Sequence, residues 1–539
     1  MKRLLFVAGL LPALILMLSI QPSVADSATW NLNPVDISWN NASNWTPVTV
    51  PNGDSDVATF GASNITGIAL LTSNITVADI VFSPGASAYT INTGVRALVI
   101  NQAINNNSGI TQTFDIPSLY GGCLPGSVSF VNSATAGSAT TFILEGGLGC
   151  QSNPLGSHVL FFDSSSADHA MFVCEGGTRP RRATSGGGGT VFFFDTSSAG
   201  SATFITNPAR GDFTDGGKIS FQGGSANNGT FINYGGYNGK SGGSTIFAQA
   251  SDAGNATVIA KTGFNGGGGG SISFTLFSTG GTARVEVFGN GNLDLLYHRG
   301  GLTIGSIEGN GDVFLGNHRL RVGTNNLDTN FSGVISDGDC RVACGQGGSL
   351  TKLGAGELIL SNANTYSGGT IVDNGKLAVS NTSGSATGTG AVQVNAGMLS
   401  GKGIIAGPVT VGKGSGRGAV LSPGNRLDSS ATLTIQNTLT LNADATYRFS
   451  LRTHAGTADD VTALGVTINS GAQFSFNDLS NTALTPGTVF TVINNTAATP
   501  IAGTFSNLPD GATFSSNGNT YQVSYEGGDG NDLTLTVVP

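Results

Sequence analysis

Charge is scarce in this sequence. Its 539 residues hold 23 Lys+Arg and 32 Asp+Glu, so 10% are charged, against about 25% in an average soluble domain. The formal net charge of −9 also repels nucleic acid and anionic lipid rather than attracting them, so no nucleic-acid partner is expected. Histidine and cysteine are rare too, at five each. His158, His169, His298, His318 and His454 are scattered, without the spacing a zinc site needs. Beyond Ile20 no apolar run is long enough to span a membrane, so no integral membrane segment is expected once the N-terminus is removed. Glycine, by contrast, is abundant at 83 residues, and each would weaken a helix by roughly 1 kcal/mol relative to alanine. Because 39% of residues are apolar, disorder is excluded as well. What is left is an all-β, turn-dense chain.

The N-terminus has three parts: Lys2-Arg3, an apolar stretch broken by Pro12, and Ser23-Val24-Ala25. This is the pattern of a signal peptide, with cleavage expected after Ala25. Export places the protein outside the cell or on its outer surface, with the periplasm as the other open compartment. There Cys123, Cys150, Cys174, Cys340 and Cys344 are disulfide candidates, with one left over. The first three are about a coil apart, so stacking could bring them within ~5 Å of one another.

Repeats decide the fold. Val128-Ser-Phe-Val leads to Ala136-Gly-Ser-Ala-Thr-Thr-Phe-Ile143, and Val191-Phe-Phe-Phe-Asp leads to Ala199-Gly-Ser-Ala-Thr-Phe-Ile205. Ile219-Ser-Phe-Gln and Thr245-Ile-Phe-Ala open two further copies, and residues 159–173 a looser one. Two short strands cannot bury their apolar side alone, whereas stacked copies make a continuous interior. The expected fold is therefore a right-handed parallel β-helix with a Trp-rich N-terminal cap and a C-terminal β cap region. At roughly 27 residues per coil, residues 26 to 510 make ~18 coils and a rod near 85 Å. Asn132, Asp163, Asp195, Gln222 and Gln249 fall at one position of successive coils. Such a row is either a turn-stabilising ladder or a site for a cation or sugar, and two acids in five favour the ladder.

The dialect changes between 302 and 425. Residues 352–360 carry K-x-G-x-G-x-L-x-L, and residues 364–377 carry N-T-Y-x-G-x-T-x-V-x-x-G-x-L. Together they resemble the autotransporter-associated beta strand repeat, also called the passenger-associated transport repeat. The resemblance implies a secreted passenger in which such repeats help export and folding of a stalk. Leu353, Leu358 and Leu360 are expected to face inward, Tyr366 to fill a corner, and Asn362, where the pattern usually has Gly, to keep a left-handed turn. The resulting plan is a leader at 1–25, cap and first coils at 26–125, Gly-rich coils at 126–301, repeat coils at 302–429 and a C-terminal β region at 430–539. Residues past 430 are too few for a translocator barrel of at least eight strands, and no such barrel is recognised in the chain.

Trp30, Trp39 and Trp45 form either a sugar platform or the cover of the first coil, and a solenoid needs the cover. Near the end, residues 527–532 read Gly-Gly-Asp-Gly-Asn-Asp, the opening of a calcium nonapeptide. Asp529 and Asp532 are thus weak calcium candidates, since the motif occurs once and a tight turn explains it better. Residues 239–243 satisfy G-x-S-x-G without a helix, and Arg179-Pro-Arg-Arg182 is an isolated basic loop. The close acids Asp459-Asp460 and Asp337 with Asp339 are poorly placed for an acid/base couple. The function expected is a secreted or cell-surface, non-enzymatic β-helix of autotransporter-passenger type whose extended face serves adhesion or extracellular-matrix contacts, with surface polysaccharide or other extracellular proteins as candidate partners and no cofactor. A polysaccharide-degrading β-helix or a purely structural stalk are the alternatives.

Overall fold

The computed structural model describes residues 26–118, 125–148, 156–178, 186–338, 345–416, 418–424 and 430–539. The expected leader, Cys123, Cys150, Cys340, Cys344, Asp339 and the loop at 179–182 lie outside these residues. Among the described residues there is no α-helix, only the 3-10 turn Ala42–Asn44. The repeated phrase folds into stacked parallel rungs. Ser127–Phe130, His158–Phe161, Thr190–Phe193, Lys218–Phe221, Ser244–Phe247 and Ser271–Phe274 pair in register on a first sheet. Ser138–Leu144, His169–Cys174, Thr203–Thr206, Thr230–Asn233 and Thr257–Ala260 do so on a second.

Strand alternation sends every second side chain inward. In-register stacking then turns each inward position into a column. Phe130, Phe161, Phe193, Phe221, Phe247 and Phe274 stack with centroids 4.5–5.0 Å apart. Phe114, Phe142, Phe172, Phe204 and Phe231 stack at 4.7–4.9 Å on the facing sheet. The two columns meet edge to face, as at Phe161 and Phe172, 5.8 Å apart at 77°, a favoured aromatic geometry. A third side begins as single parallel bridges through Thr135, Ser166, Ser198, Ser225, Asp252 and Thr279. The corresponding place in later coils holds an eight-stranded parallel sheet, from Leu302–Ile304 to Val466–Ile468.

The second sheet runs from Gly67–Ala69 to Gln473–Asp478 in sixteen parallel steps. At ~4.8 Å per step it is ~77 Å long. The coil length is not constant. Register partners Val159 and Val191 are 32 residues apart, Leu293 and Val313 only 20. The difference lies in the connection from the second sheet to the first: fifteen residues separate Cys174 from Thr190 in the longer coil, and two separate Gly309 from Asp312 in the shorter.

The polar row is a ladder. Asn132, Asp163, Asp195 and Gln249 all take positive φ, between 52° and 58°. The Asn132 N–H donates to Asp163 Oδ2 at 2.8 Å, the Asp163 N–H to Asp195 Oδ2 at 3.1 Å, and Gln249 Nε2 to Gln222 Oε1 at 3.1 Å. The Asp163 and Asp195 carboxylates and the Gln222–Gln249 amide pair thus tie neighbouring coils together. Gln222 itself is not left-handed; Gly223 and Gly224 take that role.

At the N-terminus Trp30, Trp39 and Trp45 are buried around Phe60, and their indole N–H groups donate to Ile65 O, Pro51 O and Trp39 O. They cover the first coil, leaving no face for a sugar. At the other end Val489–Asn495 continues a parallel stack, after which Asp532–Val538, Asn519–Gly527 and Thr513–Ser516 add in antiparallel fashion.

Two expectations need correction, at Asn362 and Leu353, whereas Cys174, one of the disulfide candidates, stacks between Leu144 and Thr206 with its thiol free and wholly buried, as the one left over would be. Burial pushes that thiol well above its ordinary range, with the Glu175 charge adding to the effect. Asn362 does not have positive φ; its Oδ1 accepts the Ala363 N–H and its Nδ2 donates to Ser332 O. Leu353 sits half-buried at a corner, while Leu350 points into the column of Leu320 and Thr370 and, unexpectedly, Lys352 into the column of Val322 and Val372.

Candidate functional site

The loops that join the second sheet to the first stack as the strands do. Residues 207–217, 234–243 and 261–270 are held by Ala209 N–H to Ser241 O at 2.9 Å, Gly236 N–H to Gly268 O at 2.7 Å and Phe264 N–H to Gly236 O at 2.8 Å. Glycine permits this approach. A Cβ at Gly216 would lie 2.2 Å from Gly242 O, and one at Gly242 would lie 2.2 Å from Gly269 O. The backbones thus pack directly on each other and push the other side chains outward.

Those side chains are aromatic. Phe213 is 83% exposed, Tyr237 53% and Phe264 61%, with Tyr234 beside them. Tyr237 and Phe264 share a parallel bridge and so hold the same place in successive coils. Between the first two loops lies a cleft of about 450 Å³ lined by Asp212, Phe213, Thr214, Gly239, Lys240 and Ser241. Lys240 Nζ stands 3.6 Å from Asp212 Oδ1 across it. Aromatic rings spaced by one coil, ~4.8 Å, with a charged pair and a hydroxyl alongside, offer stacking and hydrogen bonding to an extended polymer.

The residues that the sequence offers for hydrolytic chemistry are dispersed. Ser241, the serine of the G-x-S-x-G match, is held through its carbonyl, which accepts the Ala209 N–H, and among the described residues its side chain has no histidine or carboxylate partner. The acid pairs do not converge either. Asp459 is buried against Arg452 at 3.0 Å, whereas Asp460 accepts from Thr432 Oγ1 at 2.7 Å. Burial raises the Asp460 carboxyl, partly offset by that hydroxyl. Asp337 is occupied by Ser367, whose hydroxyl donates to it at 2.6 Å.

The calcium candidates close a hairpin in which Gly527 pairs with Asp532. Asp532 Oδ1 accepts the Asn495 N–H at 2.9 Å, so the carboxylate fastens the turn to the preceding parallel strand. Burial raises its pKa most; the Asn495 N–H opposes this and Asp529 adds to it. Among the described residues no group of three or more His, Cys, Asp or Glu could hold a metal ion, and calcium wants six to eight oxygens. No helix of the described residues is long and apolar enough to cross a membrane.

Phe213, Tyr234, Tyr237 and Phe264 were not singled out by the sequence reading, although a signal exists. Each sits outside the alternating strand phrase, among Gly, Asn and Asp, where an aromatic has no core to enter.

Comparison with curated protein sequences finds no match. Among solved structures, the crystal structure of the Haemophilus influenzae Hap adhesin aligns with 91% of this chain at 10% identity and a TM-score of 0.27. This chain covers 65% of that adhesin, less than two thirds of its length. Residues 350–379, the segment with inward Lys352 and buried Tyr366, match the family model of the passenger-associated transport repeat.

Proposed function

We propose that the protein is an exported, non-enzymatic β-helix of the autotransporter-passenger type that adheres to extracellular polysaccharide through its glycine-rich loop edge. The observation that carries this reading is the exposed row Phe213, Tyr237 and Phe264 beside the Asp212–Lys240 cleft. Its neighbouring members differ by one coil, so a polymer lying along the rod meets several of them. Many weak contacts then add on a rigid support, which raises avidity without a deep pocket. The transport repeat at 350–379 supports the passenger assignment, and the buried or partnered acids support a binding rather than a cutting role. No cofactor is needed for such binding.

The test is retention on a panel of immobilised plant and bacterial polysaccharides, with the intact chain also followed by blotting in cells and medium. Retention without released reducing ends is expected, and the triple variant Phe213→Ala/Tyr237→Ala/Phe264→Ala should lose at least tenfold in affinity while keeping its melting temperature. Released reducing ends would overturn the binding reading. Unchanged retention of the triple variant would move adhesion away from this edge.

A further inference from the structure

A second concave surface lies farther along the rod, on the outer face of the second sheet. Lys376–Val379, Gly397–Gly401, Ala419–Pro423, Ala445–Arg452 and Gln473–Asp478 form its floor. Two cavities of about 240 and 220 Å³ sit side by side there and share Lys376, Ser400 and Gly424. Register explains the lining. Lys376 pairs with Met398, Ser400 with Ser422 and Ser450 with Asn477, so outward positions of successive coils deliver ammonium, hydroxyl and amide groups to one trough.

Ser400 carries the argument. The residue is 1% exposed, lines both cavities, and its Oγ has no hydrogen-bond partner. Native proteins rarely bury a hydroxyl unsatisfied, and leaving one so costs free energy that a ligand atom would recover. The charges agree. Glu357 neutralises Lys376 at 2.9 Å and Arg452 neutralises Asp459 at 3.0 Å. Arg448 also lines the trough and has no ion-pair partner among the described residues. A half-buried guanidinium without a carboxylate is a fork waiting for a planar anion.

We infer that this trough is a second binding site, for a carboxylated glycan of the hexuronate class, with Arg448 taking the carboxylate and Ser400, Ser422 and Asn477 the hydroxyls. A sugar acid supplies both kinds of group on one repeating unit, and the trough presents its partners across several coils. Neutral glycans lack the anion for Arg448, and a nucleic acid meets the repulsion of a chain of net charge −9.

The experiment is calorimetry of the full chain with galacturonate hexamer, and with its methyl ester as the uncharged control. Wild type should bind the acid at least tenfold more tightly than the ester, and binding should weaken as salt is added. Arg448→Gln should abolish the preference for the acid. Ser400→Ala is expected to weaken binding about fivefold or more while leaving the ligand-free melting temperature unchanged or higher, because it removes an unsatisfied group rather than a contact. No binding by wild type, equal binding of acid and ester, or full affinity in Arg448→Gln would each overturn the inference. The Phe213→Ala/Tyr237→Ala/Phe264→Ala chain should keep this binding, which separates the site from the loop edge.

Discussion

At the scale of single residues, Lys352 is the most informative. Its position in the column of Val322 and Val372 calls for an aliphatic side chain, yet its ammonium lies inside and donates to Leu353 O and Gly354 O. Burial pulls the pKa down to about 8, with Asp328 opposing the shift. A lysine depressed in the folded state binds fewer protons there than when unfolded, so stability rises with pH between about 8 and the unfolded value near 10.4. Buried phenols such as Tyr366 and Tyr447, whose pKa values burial raises, act oppositely, but only above about pH 10. The midpoint of urea unfolding should therefore climb between pH 7.5 and 9.5 by the equivalent of about 1–2 kcal/mol, with partial solvent screening already allowed for. Lys352→Met should remove that climb; a variant that keeps the same slope would show that the titration belongs elsewhere. Lysine in the repeat motif was legible in the sequence, but its inward direction was not, because the motif gives residue types and not strand phase. Asn364 was legible in the same limited sense: its Oδ1 accepts the Ile335 N–H at 2.7 Å and its Nδ2 donates to Ala386 O at 2.5 Å, so one side chain ties three coils.

The rung is the next scale, and here the sequence was most readable. Strand phrases such as 191–194 have side chains that alternate with period two, which puts Val191 and Phe193 on one face and Phe192 and Phe194 on the other. The structure agrees, with Phe161, Phe193 and Phe221 in one stack and Phe192 and Phe194 half-buried outside it. The loops resisted the same reading because glycine-rich segments have no period from which to infer direction. That is why the exposed aromatics at 213, 237 and 264 went unmarked. Phe193→Ala should cost about 3–5 kcal/mol, since it opens a cavity between close-packed rings that cannot collapse. In a solenoid the damage should stay local. Hydrogen exchange should quicken in Thr190–Phe193 and its paired strands while the tryptophan cap keeps its protection. Phe192→Ala, on the outer face of the same strand, should cost less than about 1.5 kcal/mol. Equal losses for the two variants would contradict the assignment of inner and outer faces.

Across the whole molecule, each coil touches only its neighbours, so stability is a sum over rungs and interfaces rather than a single global core. This makes whole coils removable and fractions of coils not. Asp294 and Phe314 are register partners one coil apart, and none of the residues between them lines the loop-edge cleft or the trough. Deleting residues 295–314 joins Asp294 to Leu315 and returns the chain to the same point of the section one rung later. The shortened protein should show a β-type circular dichroism spectrum, lose ~5 Å of length, and keep polysaccharide retention and hexuronate binding together. Deleting 295–304 alone removes the rung Leu302–Ile304 but leaves Ser306–Gly309 and Asp312–Phe314 to be reached by too short a chain. Ten residues are half of the 20-residue coil between Asp294 and Phe314, so the chain cannot return to its register partners on the rung below, and this variant should melt well below wild type or fail to fold. If both deletions were tolerated equally, the coils would not be in register. If the full-coil deletion abolished either binding activity, that activity would depend on contacts running the length of the rod and not on the loops or trough that hold it.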